Sequence, residues 1–138
     1  MSFQNQFTKT TTDANLMETV HHGSAEYPFR YYYENIALFD FKCIDWHWHS
    51  ELEFIYIESG NVVFDIGTVH FELNEGNGIM INSKILHRLQ SSSDAIIPNF
   101  LFQPSFIAPQ DSLIYKKYIN PVISSSLEYL VFQPDIPW

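Results

Sequence analysis

Cysteine, positive charge and long apolar runs are all scarce in this chain, and each scarcity closes off a class of protein. Cys43 is the single cysteine, so no intrachain disulfide can form and a reducing cytoplasm is the expected compartment. It lies in an apolar-rich segment, where a small hydrophobe is a better reading than a nucleophile. Seven Lys and Arg stand against sixteen Asp and Glu, a formal charge of -9. The basic residues are scattered, with Lys116 and Lys117 the one adjacent pair. Displacing counterions from phosphates needs clustered positive charge. The chain as given is therefore not expected to bind DNA by itself, and its acidity argues against an anionic membrane surface. Residues 1–20 are polar and Thr-rich, without the apolar centre of a signal peptide. No apolar run approaches the length of a membrane span. Repeats are absent, and Ser91–Ser93 and Ser124–Ser126 are short serine loops.

Aromatic and β-branched residues fill the rest. Twelve Phe, eight Tyr and three Trp in 138 residues, with 46% hydrophobic content, describe one globular domain able to bury a core. Residues 1–27 have few large apolar side chains and read as an extended arm, with a short helical turn near Leu16–Val20. From residue 28 to residue 138 the texture is that of short strands. Candidates are Phe29–Tyr33, Phe39–Ile44, Glu53–Ser59, Asn61–Ile66, Val69–Leu73, Gly78–Asn82, Arg88–Ser91, Ile97–Phe102 and Glu128–Phe132. Several alternate with period 2, as Val63 and Asp65 do against Phe64 and Ile66, and turn residues separate them. One helix is predicted over Asp111–Ile119, stopping before Pro121. Strands without intervening helices predict an all-β sandwich or closed barrel. A chain closing on Pro137-Trp138 after a proline-bearing stretch is expected to continue into a further domain.

His47, His49, Glu53 and His87 are the chemically informative residues. Two histidines one residue apart on a strand project from one face, so His47 and His49 can bite a single ion. Trp46 and Trp48 then face the other way. If a barrel gathers Glu53 and His87 from neighbouring strands, three imidazoles and a carboxylate suit a divalent Zn, Ni, Fe or Mn ion with coordination positions left open. The same four residues can instead form a hydrogen-bonded polar floor for a ligand pocket without metal, and no cofactor is then required. Both readings stand on sequence. Tyr31 and Tyr33 share a face that points inward in the pocket reading, and Arg88 would meet a carboxylate or hydroxyl of a ligand at the mouth. His70 reads as an exposed strand residue, His21-His22 as part of the arm, and Glu51 as a turn carboxylate.

His47-x-His49-x3-Glu53-x6-Gly60 resembles the first motif of the cupin superfamily, and Gly76…His87 resembles the second. Ser83 stands where that second motif usually carries proline, and Lys84-Ile85 replace its glycine-containing step. DWHWHSELEFIYIESGNVVFDIGTVHFELNEGNGIMINSKILHRL and FLFQPSFIAPQDSLIYKKYINPVISSS are similar to the N-terminal sensing domain of AraC-type bacterial transcriptional regulators, a likeness covering roughly residues 28–132. The resemblance implies a double-stranded β-helix (jelly-roll barrel) with an arm at residues 1–27 and a sensor domain at residues 28–138. It implies a small, sugar-like or other metabolite effector in the barrel, a homodimer, and DNA contact through a C-terminal helix-turn-helix domain not present here. On this reading the chain is not an enzyme. The alternative is a metal-dependent cupin enzyme, a dioxygenase or sugar isomerase, using His47, His49, Glu53 and His87 as ligands.

Overall fold

A computed structural model describes residues 7–135 of the chain. Nine strands run in the order β1 (Phe29–Tyr32), β2 (Cys43–His47), β3 (Leu52–Tyr56), β4 (Asn61–Ile66), β5 (Val69–Asn74), β6 (Gly78–Ile81), β7 (His87–Gln90), β8 (Asn99–Phe102) and β9 (Tyr129–Phe132). They form two sheets, β1-β8-β3-β6-β9 and β2-β7-β4-β5. Every pairing within them is antiparallel. Facing sheets wound in this order make an all-β barrel, as the strand pattern predicts, and it is the jelly roll that the cupin resemblance implies.

Period-2 alternation sets what lies between the sheets. Val62, Phe64 and Ile66 of β4 meet Ile55 of β3, Ile79 and Ile81 of β6, and Leu89 of β7 in one buried cluster. Burying each such aliphatic or aromatic side chain contributes about 1.5–3 kcal/mol, so this half of the barrel supplies the main cohesion. The inward rows change character along the strands. Ile55 gives way to Glu53 two residues earlier and Leu89 to His87, with Glu53 and His87 both buried, while on β8 Leu101 lies across from Glu53 and buried Asn99 across from Ile55. One half of the barrel is therefore an oily plug and the other a polar chamber.

Outside, Phe54 of β3 stacks on Phe100 at 5.1 Å and on Phe132 at 6.2 Å. A π turn at Tyr115–Ile119 running into α1 (Asn120–Ile123) packs near Leu52, Met80 and Phe102 through Ile123. Asn82 pins this segment by donating to the carbonyls of Val122 (2.9 Å) and Leu127 (2.7 Å).

Three local expectations are corrected. No strand spans Phe39–Ile44: two 3-10 turns, Ile36–Leu38 and Asp40–Lys42, come first and β2 starts at Cys43. The chain corners at Phe41 and Lys42, both at positive φ (60° and 51°), a geometry no strand tolerates. The helix does not stop before Pro121. It widens into the π turn and continues to Ile123, and such widening accommodates a residue that has no N–H to give. Near Leu16–Val20 there is no helical turn. The Asp13 carboxylate accepts from the backbone N–H of Asn15 and Met17 at 2.8 and 3.0 Å, a local bond that competes with helix, and Thr12 bridges to Glu18 instead.

Candidate functional site

The register of the strands gathers the four candidate ligands. His47 on β2 lies directly across from His87 on β7, and Glu53 on β3 reaches toward them from the facing sheet. One imidazole nitrogen from each of His47, His49 and His87 and a carboxylate oxygen of Glu53 all lie within 4.8 Å of one another, and all four residues are buried. The turn leading to His87 is tied to the His47–His49 segment. Ser83 Oγ donates to the Ser50 carbonyl at 2.6 Å, and Lys84 N–H donates to the His49 carbonyl at 2.7 Å. Ser83 thus fixes this corner by hydrogen bonding where the cupin motif carries proline, and Lys84 adopts φ 64° where the motif supplies glycine.

The ring orientations carry chemical information. His47 Nδ1 donates to the Asp45 carbonyl at 2.7 Å, His49 Nδ1 to the Glu51 carbonyl at 3.1 Å, and His87 Nδ1 to the Ile85 carbonyl at 2.7 Å. A carbonyl only accepts, so each Nδ1 holds a proton and each Nε2 is left facing the cluster. His49 Nε2 and His87 Nε2 stand 3.1 and 3.3 Å from the same oxygen, Glu53 Oε1. A neutral ring with its proton on Nδ1 would oppose lone pair to lone pair there. Either a second proton or a cation must lie between.

The electrostatics match. Burial alone would drive His49 toward neutrality, but the hydrogen bond to Glu53 and the charge of that carboxylate outweigh it and push the imidazole up to about 9. Burial likewise works to raise Glu53, yet bonds from His49 and His87 hold its carboxyl well below the usual range. His47 has no carboxylate partner, and burial, with His87 beside it, lowers it to about 3. Neighbouring donors around a divalent first-row ion sit roughly 3–3.5 Å apart, close to the spacing from Glu53 to the two rings. The donor set therefore fits such an ion, with His47, His49, Glu53 and His87 as its holders.

Beside the cluster is a partly enclosed cavity of about 40 Å³, bordered by His47 and Glu53, room for roughly three waters at 10–15 Å³ each. Tyr32, Glu34 and Asn99 form its wall, and Phe7, Thr10, Glu18 and His22 of the arm close it. The arm is docked along β2 and the residues after it: Trp48 N–H donates to Leu16 O (3.0 Å), Glu18 N–H to Trp48 O (2.9 Å) and the Trp48 indole to Asn15 O (2.9 Å). Outward-facing Trp48 thus packs under the arm. Inside, the Tyr32 hydroxyl donates to His22 Nδ1 at 2.7 Å, and His22 Nε2 donates to the Glu18 carboxylate. Burial pushes Glu18 up, but the bond to and charge of His22 reverse this and leave it lowered.

Three residues expected in the pocket lie elsewhere. Tyr31 is 46% exposed on the outer face of the five-stranded sheet, lining a groove with Phe54 and Phe100. Tyr33 is half-buried outside the cavity lining and donates to Glu58 at 2.5 Å. Arg88 follows His87 on the same strand and so faces out, pairing with Asp65 at 3.0 Å beneath Trp46. The period was right for Tyr31 and Tyr33, but the inward row is the other one, Tyr32 and Glu34. Those two, with Asn99, Glu18 and His22, went unrecognised. An arm reading of His22 misses that it is buried against His49, ring centroids 5.9 Å apart. His70 is indeed exposed, beside Asp65 at 2.5 Å, whereas Glu51 is buried.

The jelly-roll barrel is the cupin fold, and a solved structure shares it. A Cupin 2 conserved barrel domain protein from Salinispora arenicola superposes with a TM-score of 0.51 at 13% identity, covering 71% of this chain and 84% of that one. The AraC-like ligand binding domain family matches residues 38–108, a span holding all four cluster residues, and the chain belongs to that family. An uncharacterized HTH-type transcriptional regulator of Bacillus subtilis (strain 168), YdeC, is 32% identical over 129 residues, which is 91% of this chain and 44% of that protein. The chain thus spans less than half the length of this curated relative. No helix among the described residues is long and apolar enough to cross a membrane.

Proposed function

We propose that this chain is the effector-sensing part of a transcriptional regulator, with residues 1–27 a lid and residues 28–138 the sensor barrel. One observation carries the reading: the arm is folded over the cavity and lines it with Glu18 and His22. A ligand entering the barrel would touch arm and wall together, so its affinity differs between the docked and undocked arm. That difference is what shifts a conformational equilibrium. A divalent ion held by His47, His49, Glu53 and His87 would supply Lewis-acid attraction for an oxygen or nitrogen of the ligand. Around it, Tyr32 and the His22–Glu18 pair orient hydrogen-bonding groups, while Phe7 and Phe39 exclude water. DNA contact through a following helix-turn-helix segment, homodimerisation and a cytoplasmic setting belong to the same reading, supported by the likeness to a regulator more than twice as long.

The enzyme alternative is favoured by the donor set alone. A screen separates the two. The protein is heated with small sugars, acids and amines, and amide exchange is followed at Met17–His22. A sensor is expected to gain stability, about 2.7 kcal/mol at 100 times Kd, together with slower exchange in the arm. Consumption of dioxygen or isomerisation of a sugar by the metal-loaded protein, with no arm protection, would overturn the proposal in favour of catalysis.

A further inference from the structure

The carboxylates of the chamber differ in how they are neutralised. Glu18 is bonded to His22, and Glu53 to His49 and His87. Glu34, two residues beyond β1 on the inward row of Tyr32, is only 6% exposed, and its carboxyl borders the cavity. Among the described residues no Lys, Arg or His lies within ion-pair distance of it, and its side-chain partner is the Asn99 amide, which donates at 2.8 Å. The backbone is fixed as well, because Ile97 N–H donates to the Glu34 carbonyl at 2.8 Å. Burying a carboxylate with one amide for company is unfavourable. Burial accordingly raises this carboxyl to about 7; the Asn99 bond opposes the shift, and the charges of Glu53 and Glu18 add to it. A group placed at such a disadvantage, bordering a partly enclosed cavity and oriented by a neighbour, has room beside it for a cationic partner.

We propose that Glu34, oriented by Asn99, binds a protonated amine, so that the chamber senses a small molecule carrying an ammonium group. This rests on the sensing role argued above. Charge complementarity gives the class. Glu18, Glu34 and Glu53 border the cavity, and Lys9 is its one Lys or Arg. Arg88, the residue suited to an acidic ligand, faces outside and is held by Asp65. An ammonium offers several N–H donors to Glu34 and to the Asn99 side-chain oxygen, whereas a hydroxyl gives one donor and no charge.

The test is isothermal titration of the full chain with ethanolamine, ethylene glycol and glycolate, molecules alike in size and different in charge, on wild type and Glu34→Gln. Ethanolamine is expected to bind at least tenfold tighter than the other two and to lose at least tenfold in E34Q. Without ligand, E34Q is expected to melt at or above wild type, since a neutral amide replaces the disfavoured charge. A lowered ligand-free melting temperature would make Glu34 a structural residue and overturn the assignment. Retained ethanolamine affinity in E34Q would overturn it too. Preference for ethylene glycol or glycolate would refute the amine while leaving the sensing role intact. Failure of all three to bind also rejects the amine, and the sensing role is then judged separately by arm exchange in the wider screen.

Discussion

Replacing Glu53 by Gln probes the polar half of the barrel where its groups are most interdependent. Glu53 Oε1 receives both His49 Nε2 and His87 Nε2, at 3.1 and 3.3 Å, inside the protein. In metal-free protein the charge on His49 depends on that carboxylate, which helps hold the imidazole at about 9. Gln keeps the volume and removes the charge, so His49 is expected to lose its proton. At pH 7, removing a proton held two units above the ambient pH costs about 2–3 kcal/mol at 1.36 kcal/mol per unit. For a chain of this size that is a fall of roughly 10 °C in melting temperature. The pH dependence has a definite sign. His49 is raised above its ordinary 6.5, so its contribution is complete below 6.5 and fades as pH climbs toward 9. Glu53 is held below its ordinary 4.5, so its contribution is present above 4.5 and lost on acidification. The gap between wild type and E53Q should be widest between pH 4.5 and 6.5 and should close toward pH 9. Thermal unfolding followed by circular dichroism in EDTA, at pH 5.5, 7 and 9, measures it. A gap below about 0.5 kcal/mol at pH 5.5, or one that widens toward pH 9, would refute the coupling.

Three further outcomes follow from named contacts. His22→Ala removes the bonds to Tyr32 and Glu18; it should speed amide exchange at Met17 and Glu18 by roughly tenfold or more, since a buried hydrogen bond contributes about 0.5–1.5 kcal/mol, while β3 and β6 stay protected. Gly60→Ala places a Cβ 2.5 Å from the Asp94 carbonyl oxygen at φ +84°, and should lower stability by about 2 kcal/mol or more in urea titration. Lys84→Gly relieves a residue at φ 64° and should raise stability by up to about 1 kcal/mol in the same assay, with the His49 carbonyl still receiving its N–H.

The half of the barrel that was legible in advance is the half governed by period 2. Val62, Phe64 and Ile66 fall on one row, with Val63 and Asp65 on the other, and His47 and His49 share a face for the same reason. Parity failed at Phe29–Glu34, where FRYYYE offers aromatic residues on both rows and no polar alternation to tell inside from outside. The structure settles it through Tyr32, buried against His22, and Glu34 follows on the same row. The arm was harder still. Its docking depends on backbone bonds to Trp48 and on one buried histidine, His22, which bonds to Glu18, and no periodicity encodes such pairing. The corner at Phe41 and Lys42 escaped notice because neither residue advertises a left-handed backbone. Ser83 and Lys84 depart from the cupin pattern, and side-chain and backbone bonds to Ser50 and His49 hold the turn before His87.

Cobalt(II) titration of metal-stripped protein tests most directly whether His87 and the distant His47–His49–Glu53 segment act as one site. The account predicts one ion per chain, with a visible absorption band lost to a similar degree in His49→Ala and His87→Ala. Tight binding that survives His87→Ala unchanged, or no binding at all by wild type, would contradict it.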